Sequence, residues 1–152
     1  IYILLFKKNL ILSKMCIIAT VGLPGRGKSY IAQKLYRSLT WLGYTVKVFN
    51  AGEYRRRHYK DIDNLNEYFF NPEQKDLRDD LANKCFDELL EWMNSHSEVN
   101  SDKIISIFDA TNSTKDRRKT LYNKINGKYK LLFIESVVND KNIINAIIYR
   151  TR

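Results

Sequence analysis

The sequence predicts an α/β fold: a parallel sheet with helices on both faces. Three observations predict it. Short apolar runs alternate with segments of helical spacing along most of the chain. The run Cys16–Val21 is short and continuous in apolar residues, as a strand covered on both faces requires. The first run leads through a glycine-rich loop straight into an amphipathic helix.

Cys16–Val21 is the first strand. Lys28–Leu42 has helical spacing, with Ile31, Leu35, Leu39 and Leu42 on one stripe. Gly43 ends that helix and Thr45–Asn50 is the second strand. Asn71 and Pro72 open a long helix: Asn71 caps it, Pro72 suits its first turn, and Gln74 completes a capping box. Leu77, Leu81, Cys85, Leu89 and Met93 form its apolar stripe. Ile104–Asp109 is the third strand. Ser113 and Thr114 are candidate caps for a short helix through Lys124. Lys130–Val138 is the fourth strand, and Asp140 starts a last helix still running at Arg152. The sheet is therefore expected to be incomplete at its C-terminus.

No repeat, low-complexity tract or linker divides residues 15–152, so they are expected to form one domain. Residues 1–14, IYILLFKKNLILSK, are set apart as an N-terminal extension, with Met15 a candidate start. Lys7 and Lys8 interrupt their apolar run, which falls short of the ~20 apolar residues a membrane span needs. A signal peptide would carry its charges before the apolar run, not after it.

Composition narrows the function classes. Hydrophobic residues make up 44% and charged residues 28%, with two Trp, ten Tyr and seven Phe, which excludes a disordered chain. Two cysteines, Cys16 and Cys85, build no disulfide framework and read as reduced core residues of a cytoplasmic protein. Their spacing offers no metal–thiolate site. The net charge of +9 favours anionic partners, although Lys, at 16 of the 26 basic residues, accounts for much of it as ordinary surface coating.

Gly22-Leu23-Pro24-Gly25-Arg26-Gly27-Lys28-Ser29 matches GxxxxGK[ST] in the strand–loop–helix setting that this motif needs. Glycines let backbone N–H groups wrap phosphate oxygens, and the helix N-terminus adds partial positive charge. Lys28 is a point charge for the β- and γ-phosphates, and Ser29 Oγ can ligate Mg²⁺. Asp109 ends an apolar strand, where a carboxylate points into the ligand crevice of an open α/β sheet; the plainer alternative is that it caps the following turn.

Two basic segments follow strands and so share the phosphate rim: Gly52-Glu53-Tyr54-Arg55-Arg56-Arg57-His58, and Asp109 through Arg118 with its Arg117-Arg118 pair. Arg forks fit phosphate oxygens, which suggests a second anionic ligand. A solvated charge run or an RNA-contacting patch is the alternative. His58 and His96 have no evident partner and read as surface residues.

GLPGRGKSY, VKVFNAGEYRR, and FDATNSTKDRR followed by FIES resemble the kinase domain of the 6-phosphofructo-2-kinase/fructose-2,6-bisphosphatase family, over about Ile17 to Asp140. The resemblance implies an adenylate-kinase-like P-loop fold of the nucleoside triphosphate hydrolase type. It implies ATP and Mg²⁺ as cosubstrate and metal, and phosphorylation of fructose 6-phosphate on its 2-hydroxyl to fructose 2,6-bisphosphate. Carried over by residue, Gly22 to Tyr30 match the ATP loop and Asp109 the active-site acid. Arg55, Thr111 and Arg117 match residues that hold fructose 6-phosphate. Arg78 matches a further sugar-phosphate Arg. The catalytic pair is then Lys28 and Asp109, with Ser29 and Asp109 placing the metal.

Where the family usually has a Cys after the FIES strand, this chain has Val138. A family Lys that helps hold ATP falls at Arg152, and a later Arg and Tyr lie beyond the end. No Arg-His-Gly motif is present, so bisphosphatase activity is not expected. The chain is expected to bind nucleotide but to turn over poorly or not at all. The expected partners are small molecules, with no nucleic acid and no membrane, and a homodimer is allowed for a full-length parent. Two rivals remain: another small P-loop kinase acting on a sugar or an RNA end, and a basic nucleic-acid-binding module with a degenerate nucleotide site.

Overall fold

The computed structural model describes residues 15–58, 74–96 and 103–151, the last five by backbone alone. The element order is β1 (Cys16–Val21), α1 (Lys28–Trp41), β2 (Thr45–Asn50), α2 (Ala51–His58), α3 (Lys75–Ser95), β3 (Ile104–Asp109), α4 (Lys115–Ile125), β4 (Lys130–Glu135) and α5 (Lys141–Thr151). The strands form one parallel sheet in the order β2-β3-β1-β4.

That order explains the strand sequences. β1 and β3 are central, and every residue of CIIATV and IISIFD is buried. β2 and β4 are edges: TVKVFN alternates exposed with more buried residues through its first four positions, and KLLFIE, apolar from Leu131 to Ile134, is only partly buried. Alternate side chains of the central strands feed two cores. Ile17, Ala19, Ile104 and Phe108 pack with Leu81, Cys85, Phe86, Leu89 and Met93 of α3 and Leu121 and Ile125 of α4. Cys16, Ile18, Ile105 and Ile107 pack under Ala32, Leu35 and Leu39 of α1.

Both thiols lie inside these cores. Burial pushes Cys16 up to about 11 against the pull of Lys130, and burial with Glu88 pushes Cys85 up to about 12. The folded chain therefore keeps both protonated at pH values where the unfolded chain, near 9, ionises them. Stability from this source is whole below pH about 9 and is lost as pH rises toward the folded values. Urea midpoints should fall steadily above pH about 9. A Cys16→Ala/Cys85→Ala chain with an undiminished slope would rule the thiols out as its origin.

Several boundaries and one element differ from expectation. Ala51–His58 is a helix, α2, that the sequence pattern does not announce, because only Ala51 and Tyr54 of its eight residues are buried. The helix from Lys28 stops at Trp41; Leu42, expected on its stripe, is its C-cap and 57% exposed. Strand β4 ends at Glu135 rather than Val138: Ser136 N still donates to Val21 O, but Val137 turns out to solvent. Thr114 caps α4 as expected, its hydroxyl accepting from Arg117 N at 3.2 Å. Asp140 Oδ1 caps α5 by accepting from Asn142 N at 2.8 Å. In α3, Gln74 is the N-cap and makes no side-chain cap bond. Asn71, Pro72, the extension 1–14 and Arg152 lie outside the described residues. No helix among the described residues is long and apolar enough to cross a membrane.

Candidate active site

The loops after β1 and β3 lie side by side at the carboxyl edge of the sheet, because β1 and β3 are hydrogen-bonded neighbours. Gly22 is where they meet. Its N–H donates to Thr111 O at 2.9 Å, and a Cβ there would stand 2.8 Å from the Ser136 carbonyl. Its φ of +143° is one that side chains rarely adopt. Gly22→Ala should therefore cost about 1–3 kcal/mol of stability, read as a lowered urea midpoint. An unchanged midpoint would mean that the close approach carries no strain.

From Gly22 the chain wraps outward. Gly25 and Gly27 take φ of 73° and 79°, and Gly27 is the N-cap of α1 with no side-chain cap and no acid in the first turn. The N–H groups at this helix start meet no competing carboxylate, as a polyphosphate cradle requires. Leu23, Pro24, Ser29 and Tyr30 are exposed, so the loop presents itself to solvent. Arg26 is tied in by its carbonyl, which accepts from Ser136 Oγ, while its Nη1 is buried without a partner among the described residues. Lys28 Nζ donates back to Leu23 O at 2.8 Å. Burial lowers the Lys28 ammonium below its ordinary range, and the Asp109 charge opposes that.

Asp109 does not cap the turn that follows it. Its Oδ2 accepts from Asn50 Nδ2 at 2.6 Å, and its Oδ1 lies 3.3 Å from Thr20 Oγ1, a hydroxyl that also has the Ala110 carbonyl at 3.0 Å and accepts from Ala110 N at 3.2 Å. The register explains this trio. Asn50 pairs with Asp109, and β1 runs alongside β3 with Ala19 opposite Phe108. Asn50, Asp109 and Thr20 therefore form one row across three strands, on the face that α1 covers. Asn50 Oδ1 also accepts from Glu53 N at 2.9 Å, so the same side chain starts α2. Asn112, at φ 44° and buried, donates to Thr20 O at 2.9 Å and anchors the β3–α4 loop. The hydroxyl of Ser29 and the carboxylate of Asp109 are hard oxygen donors beside the cradle, a set that fits Mg²⁺ shared with phosphate oxygens.

The basic residues divide into two roles. Arg55, on α2, reaches back over Gly52, and burial together with the charges of Arg78 and Arg56 pushes its guanidinium below the ordinary value. The two guanidinium charges, Arg55 and Arg78, therefore lie near enough to repel each other. Arg117, on α4, donates through Nη1 to Asn83 of α3, and its Nη2 is buried without a partner among the described residues. Arg118 differs: its Nη1 donates to the carbonyls of Asn112 and Ser113, at 3.0 and 2.8 Å, and clamps the loop. Thr111 is exposed on the rim and binds Gly22 through its carbonyl. His58 is exposed and stacks on Tyr54, whereas His96 is half-buried against Trp92 and bonds Trp92 O at 2.8 Å.

Thr20, Asn50, Asn112 and Asn83 are polar members that the motifs do not flag. The first two had a usable signal: each stands at or next to the last position of a strand beside the one that ends in Asp109.

The profile of the 6-phosphofructo-2-kinase family matches residues 6–152. A 6-phosphofructo-2-kinase/fructose-2,6-bisphosphatase of Arabidopsis thaliana is 42% identical over 130 residues, covering 84% of this chain and 16% of the relative. The protein of the same name from Caenorhabditis elegans is 40% identical over 137 residues, covering 86% of this chain and 29% of its own length. The chain thus spans less than a third of these relatives. In fold it is similar to the APS kinase of Mycobacterium tuberculosis solved with AMPPNP and APS. The TM-score is 0.67 at 12% identity, over 92% of this chain and 74% of that one. The likeness shows a shared fold, a parallel sheet flanked by helices.

Proposed function

The chain belongs to the 6-phosphofructo-2-kinase family, and on that premise we propose that it carries the site for phosphoryl transfer from MgATP to the 2-hydroxyl of fructose 6-phosphate. The observation that carries the proposal is the Asn50–Asp109–Thr20 row standing beside the Gly22–Ser29 loop, with Arg55 on the helix that Asn50 starts.

The residues divide the work. Backbone N–H groups from Gly22 to Ser29, with Lys28, hold the nucleotide phosphates and draw charge from the transferring group. Ser29 and Asp109 would hold Mg²⁺, which when bound neutralises phosphate charge. Arg55, Arg78, Thr111 and Arg117 seat the sugar phosphate so that its 2-hydroxyl oxygen lies in line with the γ-phosphorus. That oxygen forms the new bond to phosphorus, the bond to the bridging β,γ-oxygen breaks, and ADP departs. The hydroxyl proton leaves to Asp109 or to water. Asn50 donates to the Asp109 carboxylate and Thr20 stands beside it, which positions it for either duty, metal ligand or proton acceptor. Cytoplasmic residence follows from the substrates and agrees with two free buried thiols.

The test is labelled-ATP transfer and calorimetric binding, with fructose 6-phosphate, fructose and an RNA 5′ end as acceptors. Binding and labelling of fructose 6-phosphate in preference to fructose is the expected result. Labelling of another acceptor, with fructose 6-phosphate neither bound nor labelled, would overturn the proposal.

A further inference from the structure

We propose that Asn83 is a positioning residue for the sugar phosphate, holding the Arg117 guanidinium in place without cancelling its charge. The inference rests on the reading of Arg117 as a sugar-phosphate ligand. Asn83 lies on α3 and Arg117 on α4, and the Asn83 Oδ1 accepts from Arg117 Nη1. Arg117 Nη2, the other arm of the fork, is buried with no partner among the described residues. A buried guanidinium N–H with no acceptor is costly, so an anion that meets it gains a contact the free protein lacks.

The neighbouring acids show why a neutral amide matters. Asp79 and Asp87 both face Arg117, and their charges oppose the burial that lowers its pKa. Asp87 is engaged elsewhere: Lys124 Nζ donates to both of its oxygens, at 2.6 and 2.8 Å. The residue in direct contact with the guanidinium is thus an amide rather than a carboxylate. An acid there would hold Arg117 equally well but would pair its charge and repel a phosphate dianion.

Two substitutions separate holding from charge. Asn83→Ala removes the acceptor; fructose 6-phosphate should bind about tenfold more weakly, with that loss nearly unchanged by salt. Asn83→Asp keeps an acceptor and adds a charge; binding should weaken comparably at low ionic strength and recover as salt screens the added charge. MgATP affinity should stay within about twofold of wild type in both, because neither change touches the phosphate loop. The Arg117 side-chain ¹⁵N resonances should show a hindered guanidinium in wild type and Asn83→Asp, and a freely rotating one in Asn83→Ala.

A wild-type chain that binds fructose 6-phosphate while Asn83→Ala binds it equally well overturns the inference and leaves the functional reading standing. Equal losses of sugar phosphate and MgATP would show a purely structural role and also overturn it. A wild-type chain that does not bind fructose 6-phosphate at all overturns both.

Discussion

Lys28→Ala is expected to leave the chain folded and to lower phosphoryl transfer by about 10²–10³-fold, with a parallel loss of MgATP affinity. Lys28 is the first residue of α1, where Ala is a favourable helix former, and its described hydrogen bond is to a loop carbonyl. The folded state therefore loses little. The nucleotide loses a cation held next to Asp109 in a half-buried position, where charge is poorly screened. The burial that lowers the Lys28 pKa supplies a second signature. As pH rises through that lowered value the free chain loses the ammonium, so wild-type MgATP affinity should fall on the alkaline side before an ordinary Lys at 10.5 would titrate. Calorimetry from pH 7 to 10 reads both effects. The alkaline limb should vanish in Lys28→Ala, and equal affinity of the two proteins at pH 7 would remove the role assigned to this Lys.

Asp109→Asn should lower transfer by about 10²–10³-fold while changing stability by less than about 1 kcal/mol. The local bonding sets the second figure. An Asn in that place can turn its oxygen toward Asn50 Nδ2 and its amide nitrogen toward Thr20 Oγ1, so neither neighbour is left unpaired. What it cannot supply is the negative charge. The two candidate duties then separate in kinetics. Loss of a metal ligand raises the Mg²⁺ concentration needed for half-maximal rate. Loss of a proton acceptor instead lowers the rate of transfer and leaves the Mg²⁺ dependence alone. Asp109→Asn with wild-type transfer would show that neither duty belongs to this carboxylate.

Strands and major helices were legible in the sequence because burial leaves a period. Cys16–Val21 and Ile104–Asp109 could be read as central strands from apolar continuity, and four of the five residues of the Leu77–Met93 stripe are fully inside the core. The Gly22–Ser29 loop was legible as a turn between strand and helix because the glycines, Lys and Ser of its motif are contiguous. Helix α2 left no such trace: eight residues burying only Ala51 and Tyr54 carry too little apolar pattern to be seen. Arg117 and Arg118 look alike as a sequence pair, and only their partners tell them apart. One binds Asn83 across to α3, and the other clamps the loop carbonyls beside it.

The sequence by itself determined the α/β class, the Gly22–Ser29 loop between β1 and α1, and the acid at the end of the third strand, since each is a local property of contiguous residues. The tertiary structure alone decided that Asn50, Asp109 and Thr20 stand in one row. Those three residues are scattered over ninety positions of chain and meet only because β3 inserts between β2 and β1. Strand order is set by how the helices cover the two faces of the sheet, a balance of long-range packing that no short stretch of sequence encodes.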